Sequence, residues 1–167
     1  QRHKRCGRCC RLTRRIYGFD TFEGFPSLSD KDHSGFSSHV NAGDLLANSF
    51  EELEELNRIH DSTRFLGHIE KVKLIRGNSI ETIPAFIEKQ PHLLVSLLYL
   101  DFDLYEPTMV ALRHFIPRMP KGAVVAFDEL DNPLWPGETV AMLEYFKGLN
   151  FQIEKLPFDP YIGIAVI

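Results

Sequence analysis

Leu97-Leu98-Tyr99-Leu100-Asp101-Phe102-Asp103 is an apolar run that stops at carboxylates, and Ala123-Val124-Val125-Ala126-Phe127-Asp128-Glu129 repeats the pattern one helix further on. Near-continuous apolar runs of this length are how strands of a covered parallel sheet read. Open α/β sheets bind their ligands outside the carboxyl ends of such strands. The two runs therefore bring Asp101, Asp103, Asp128 and Glu129 to neighbouring positions of one crevice. Crowded like charges repel, and a hard divalent cation with oxygen ligands relieves that repulsion. The pattern predicts an α/β fold with a metal-assisted catalytic site on the rim of its sheet.

Outward from these runs, the chain alternates. Arg15 to Asp20 reads as a short strand ending in an acid, followed by a broken Gly/Pro/Ser-rich loop (Phe22 to Ser27, then Asp30 to Ser38). Asn41 to Ile59 carries Leu45, Leu46, Phe50, Leu53, Leu56 and Ile59 near helical spacing, with Glu51, Glu52, Glu54 and Glu55 on a solvated face. Lys71 to Arg76 alternates like a strand and stops at Gly77-Asn78, and Ser79 is the expected N-cap of a helix through Lys89. Helices are expected from about Glu106 to Pro117 and, after the Pro-rich stretch Asn132 to Gly137, through Val140 to Phe146. Phe151 to Leu156 and Tyr161 to Ile167 close the chain. The Pro157-Phe158-Asp159-Pro160 connection between them allows an antiparallel pair but not a parallel crossover. The whole is a doubly wound, mostly parallel sheet that ends in an antiparallel β-hairpin.

The 167 residues form one domain with room for a proper core, at 44% hydrophobic, 25% charged and net charge −4. The mild acidity argues against nucleic acid as a partner, and no apolar stretch is long enough to span a bilayer. No apolar segment of signal-peptide type follows the basic amino terminus, so the cytoplasm is the expected compartment. Residues 1–15 are rich in Lys and Arg and carry no acid. They read as a basic leader, disordered or non-native, ahead of a patterned domain at 16–167. Cys6-Gly7-Arg8-Cys9 has the spacing of half a zinc site, but no cysteine follows Cys10 to complete it, and free thiols are the preferred reading.

A doubly wound sheet closed by an antiparallel hairpin resembles the class I S-adenosylmethionine-dependent methyltransferase fold. The stretch Tyr17-Gly18-Phe19-Asp20-Thr21-Phe22-Glu23-Gly24-Phe25-Pro26 resembles a signature of the macrocin O-methyltransferase family. Leu100 to Thr108, and Gly122 to Glu129 with Trp135-Pro136-Gly137, are similar to further motifs of that family in the same order. The resemblance covers Ile16 to the C-terminus. It implies a Mg²⁺-dependent O-methyltransferase acting on a hydroxyl, of a sugar on a natural product or glycan, with S-adenosylmethionine as cofactor. It also implies a small glycosylated substrate and homo-oligomeric assembly. By the same resemblance Asp20 binds the cofactor ribose, Gly77-Asn78-Ser79 contact its adenine, Asp101, Asp128 and Glu129 hold the metal, and Asp103 is the general base. The family places a strand and a glycine-rich loop ahead of the Tyr17 motif. Residues 1–15 do not match them, so the expectation is a partial methyltransferase domain lacking its first strand.

Plainer roles stand beside these. Asp101 or Asp103 could cap a helix, Asp20 could be a turn acid, Asn78 could cap the helix after it, and Glu129 could be a solvated loop acid. Tyr105 and Trp135 could line the pocket, though aromatics more often pack in cores. Two rival functions remain open. One is an inactive, truncated methyltransferase-like fragment. The other is an Asp-x-Asp glycosyltransferase in which a metal neutralises a nucleoside diphosphate.

Overall fold

The computed structural model describes residues 14–36 and 41–167. The basic leader, its cysteines and His39 therefore lie, but for Arg14 and Arg15, outside the described residues. The strands are β1 (Ile16–Asp20), β2 (Val72–Arg76), β3 (Leu97–Leu100), β4 (Val124–Phe127), β5 (Glu154–Lys155) and β6 (Gly163–Val166). The helices are α1 (Phe50–Thr63), α2 (Ser79–Lys89), α3 (Tyr105–Phe115) and α4 (Pro136–Tyr145). The alternation read from the sequence is present throughout.

β1 and β2 run parallel, from Ile16 opposite Val72 to Asp20 opposite Arg76. β3 and β4 are also parallel, from Leu97 opposite Val124 to Leu100 opposite Phe127. β6 joins β4 antiparallel and carries the short β5 antiparallel on its other side, giving the order β3-β4-β6-β5. The closing hairpin is thus antiparallel as expected, although its first strand shrinks to Glu154–Lys155. Among the described residues the sheet is in two parts, β1-β2 and β3-β4-β6-β5.

Helices α2, α3 and α4 pack beside one another. Alternation within the strands sends Leu98, Leu100, Val125 and Phe127 to one face, where they meet Ile83 and Ile87 of α2 and Ala111, Leu112 and Phe115 of α3. Phe19 links the two parts of the sheet. Its ring lies 5.3 Å from Phe86 of α2 and 5.8 Å from Phe115 of α3, centroid to centroid. The opposite face of β3 presents Leu97 and Tyr99, 60% and 50% exposed.

Two local expectations are corrected. The helix expected from Asn41 starts at Phe50 instead. Gly43 adopts φ +88°, its N–H donates to the Phe25 carbonyl at 2.8 Å, and the Phe25 N–H donates to the Asp44 carbonyl at 3.1 Å. That hook fastens residues 41–44 to the preceding loop as a turn, and a helix there would forfeit both bonds. The cap of α2 is Asn78, not Ser79: Asn78 Oδ1 accepts the Ile80 N–H at 3.0 Å. No helix among the described residues is long and apolar enough to cross a membrane.

Candidate active site

Every carboxylate singled out by the strand-ending pattern sits at the carboxyl end of a parallel strand. Asp20 ends β1, Gly77-Asn78 follow β2, Asp101 to Asp103 follow β3, and Asp128-Glu129 follow β4. A cleft of about 240 Å³ opens there, lined by Asp20, Asn78, Ser79, Asp101, Phe102 and Asp103, with Phe25, Pro26 and Leu45 from the loops. Gly77 lines an adjoining hollow with Glu23 and Arg76. Asp128 and Glu129, one strand further along, lie outside the lining of this cleft.

Asp20 acts as a turn acid and a cleft residue at once. Its Oδ1 accepts the Phe22 N–H at 2.5 Å and its carbonyl accepts the Gly77 N–H at 2.9 Å. The first bond holds Phe22 at φ +58°, and the second oxygen of the carboxylate remains for a ligand. Asn78 likewise spends its oxygen on the α2 cap, which leaves its amide group to donate.

Asp103 has an unusual backbone. It sits at φ +61° in a three-residue turn closed by the Leu104 N–H on the Phe102 carbonyl at 2.6 Å. Turns of this kind with a non-glycine residue at positive φ are rare and strained. The helix cap that Asp103 was equally suited to provide comes from elsewhere: Asp32 Oδ1 accepts the N–H of Tyr105, the first residue of α3, at 2.6 Å. The Asp103 carboxylate is therefore not consumed by capping.

Burial and crowding govern the electrostatics. Burial, then the charges of Asp101, Glu129 and Asp128, push the Asp103 carboxyl up to about 7. Burial, then Asp128, Glu129 and Asp20, raise Asp101 above the usual carboxylate range, and among the described residues no hydrogen bond offsets the rise at either acid. Asp103 is thus a carboxyl that exchanges its proton near neutrality, as a general base requires. Glu138, fully buried in the first turn of α4, is pushed up to about 8, chiefly by burial.

The three carboxylates expected to hold a metal offer only oxygen donors and are close enough to influence one another's charge. That chemistry fits a hard cation. They are neighbours rather than a closed cage, and among the described residues no three acidic, His or Cys side chains converge as a metal-holding group. Asp128 accepts the Tyr99 hydroxyl, and Glu129 accepts the Asn132 amide. The Asp128 carboxylate and burial together push the Tyr99 phenol far up. Tyr105 and Trp135 do not line the cleft. The Tyr105 hydroxyl donates to Glu144 at 2.8 Å, and Trp135 packs on Phe25 with ring centroids 5.2 Å apart.

Two buried acids beside the site escape the strand-end pattern. Asp32 ends a short 3-10 helix (Asp30–Asp32) and Glu138 lies in an α-helix. A Ser29-x-x-Asp32 spacing, which forms a capping box in the structure, is the signal for the first. Nothing separates Glu138 in sequence from the solvated acids common in first helical turns.

The parallel strands, the hairpin at β6 and a cleft at the strand ends define a class I methyltransferase fold. Three solved structures share it. CalS11, calicheamicin methyltransferase, is 37% identical over 92% of this chain and 60% of its own, with a TM-score of 0.82. The apo form of CalS11, described as a TDP-rhamnose 3′-O-methyltransferase of calicheamicin biosynthesis, is 33% identical over 92% of this chain and 58% of its own, with a TM-score of 0.73. The O-methyltransferase NovP, at 23% identity, covers 92% of this chain and 60% of its own with a TM-score of 0.71. No curated protein matches the chain. The family model for macrocin-O-methyltransferase (TylF) matches residues 8–155, and the chain belongs to that family. It spans about 60% of the length of these three solved structures.

Proposed function

We propose that this protein transfers a methyl group from S-adenosylmethionine to a sugar hydroxyl of a small glycosylated substrate. The observation that carries the reading is a single cleft lined both by Asp20, an acid with one oxygen to spare, and by Asp103, a buried carboxyl that titrates near neutrality. Membership in the macrocin-O-methyltransferase family, and the sugar methylation named for the CalS11 apo structure, support the choice of reaction and acceptor.

Asp20 would accept the two ribose hydroxyls of the cofactor, and the free amide of Asn78 would donate to its adenine. When bound, the cofactor supplies the methyl group on a sulfonium sulfur. Asp103 would take the proton from the attacking hydroxyl as the new O–C bond forms and the C–S bond breaks, with the electron pair leaving on sulfur. A base of this kind contributes about 10²–10⁴-fold when its pKa lies near the working pH. Asp101, Asp128 and Glu129 would have to draw together from their present positions to hold a divalent cation, which would supply Lewis acidity to the substrate oxygen.

Calorimetric titration of the full-length protein separates this reading from the glycosyltransferase alternative. The account expects binding of S-adenosylhomocysteine that weakens at least tenfold in Asp20→Ala. Binding of a nucleoside diphosphate with none of S-adenosylhomocysteine would overturn it.

A further inference from the structure

The strained turn at Asp103 persists because other parts of the chain hold it, and those parts have no share in the cleft itself. A backbone in a sparsely populated conformation survives only where its surroundings over-determine it. Asp32, 1% exposed, reaches in from a 3-10 turn 73 positions away, and its Oδ1 takes the Tyr105 N–H at 2.6 Å. Its Oδ2 takes the N–H and the hydroxyl of Ser29, both at 2.7 Å, so the carboxylate is itself locked. Glu138 donates its N–H to the Asp103 carbonyl at 3.2 Å. Its Oε1 accepts the Glu129 N–H at 3.0 Å, which joins the second acidic strand end to the same point. Gly137 lets these groups meet: a Cβ there would stand 2.1 Å from Asp32 Oδ1, 2.4 Å from the Tyr105 nitrogen and 2.9 Å from the Asp103 carbonyl oxygen.

We propose that Asp32, Gly137 and Glu138 form a clamp that holds Asp103 in its strained turn, and that they are positioning residues for the proton transfer. The proposal rests on the reading of Asp103 as the base. An Asp at the mouth of a helix ordinarily spends its own carboxylate on the cap. Here Asp32 does that work across the fold, and the clamp grips the carbonyl of Asp103 and the start of α3 while leaving the Asp103 side chain to face the cleft. A plain structural cap would account for Asp32 and for the glycine beside its bond to Tyr105. It would not require the link from Glu138 to both acidic strand ends.

The test compares Gly137→Ala, which wedges the clamp apart, and Asp32→Asn, which keeps its size but weakens it, with Lys31→Ala as control. Lys31 ties the same 3-10 turn to Glu144 at 2.7 Å and lies 3.9 Å over the Tyr105 ring, but makes no hydrogen bond to the Asp103 turn or to the clamp. In the full-length protein, both clamp variants are expected to lose roughly 10–100-fold in kcat, as a base displaced by about an ångström would. KM and the affinity for S-adenosylhomocysteine should stay within about threefold, and Lys31→Ala should match the wild type. Wild-type kcat in both clamp variants, or a loss no greater than the fall in folded fraction by circular dichroism, would overturn the proposal. If Gly137→Ala does not fold, Asp32→Asn decides alone. If the wild type binds S-adenosylhomocysteine but methylates no sugar, the reading of the reaction fails instead. The clamp is then judged by crystal structures of Asp32→Asn, where an unchanged positive φ at Asp103 sinks it.

Discussion

At Asp103 burial and neighbouring charge change the chemistry of an ordinary aspartate. Its carboxyl rises from 3.8 to about 7, so between those values the unfolded chain has released a proton that the folded chain retains. Stability must therefore fall as pH rises through that window and level off above it, and Glu138, raised to about 8, extends the fall. Asp103→Asn removes the burdened charge. Its melting temperature at pH 8 should exceed that of the wild type by a few degrees, and its stability should change less between pH 4 and 7. A mutant that melts lower than the wild type at pH 8 would contradict the electrostatic picture. The same crowding predicts a response to a cation. Excess magnesium should raise the wild-type melting temperature at pH 8, and Asp101→Asn should abolish the rise. Equal shifts in both proteins would contradict the proposal that Asp101 binds a cation.

Strand ends were legible from sequence because a buried strand leaves a simple trace, an apolar run halted by charge. Asp20, Asp101, Asp103, Asp128 and Glu129 came from that trace, and the structure brings the first three to one cleft while Asp128 and Glu129 stay outside its lining. Helix starts were less legible. Asn41 to Ile59 has helical apolar spacing, yet Gly43 and the Phe25 hook override it before Phe50, since periodicity reports only which residues could share a face. Asp32 and Glu138 were out of reach for a related reason. Their partners lie far along the chain or in another element, and a buried acid carries the same letter as a solvated one. Within the elements, β6 gives a sharp test of packing. A Cβ at Gly163 would lie 2.5 Å from Leu130 Cδ1 and 2.9 Å from Ile153 Cγ2. Gly163→Val should cost about 1–3 kcal/mol by overpacking, read from urea unfolding. A neutral outcome would mean that the closing hairpin packs more loosely than described.

For the molecule as a whole, the cleft lies where the two parts of the sheet approach, and aromatic rings join those parts. Tyr17 and Phe19 of β1 meet Phe86, at ring centroid distances of 4.8 and 5.3 Å, and Phe19 also reaches Phe115. β4, by contrast, lies between β3 and β6 with Val125 and Phe127 fully buried. Hydrogen exchange should therefore be slowest in β4 and faster in β1 and β2, the pattern expected of a sub-global opening. Phe86→Ala should speed exchange in β1 and β2 at least tenfold while changing β4 little, and uniform acceleration would show the two parts to be one cooperative unit. That β1 and β2 lie on a different sheet segment from the acids after β3 matters for function, because Asp20 and Asp103 share a cleft only while those parts stay together. The most direct test of the central claim is single-turnover methyl transfer by the full-length protein to a sugar acceptor, comparing wild type with Asp103→Asn at saturating S-adenosylmethionine. The account predicts that the chemical step slows by about 10²–10⁴-fold while the cofactor binds as before; transfer at the wild-type rate would contradict it.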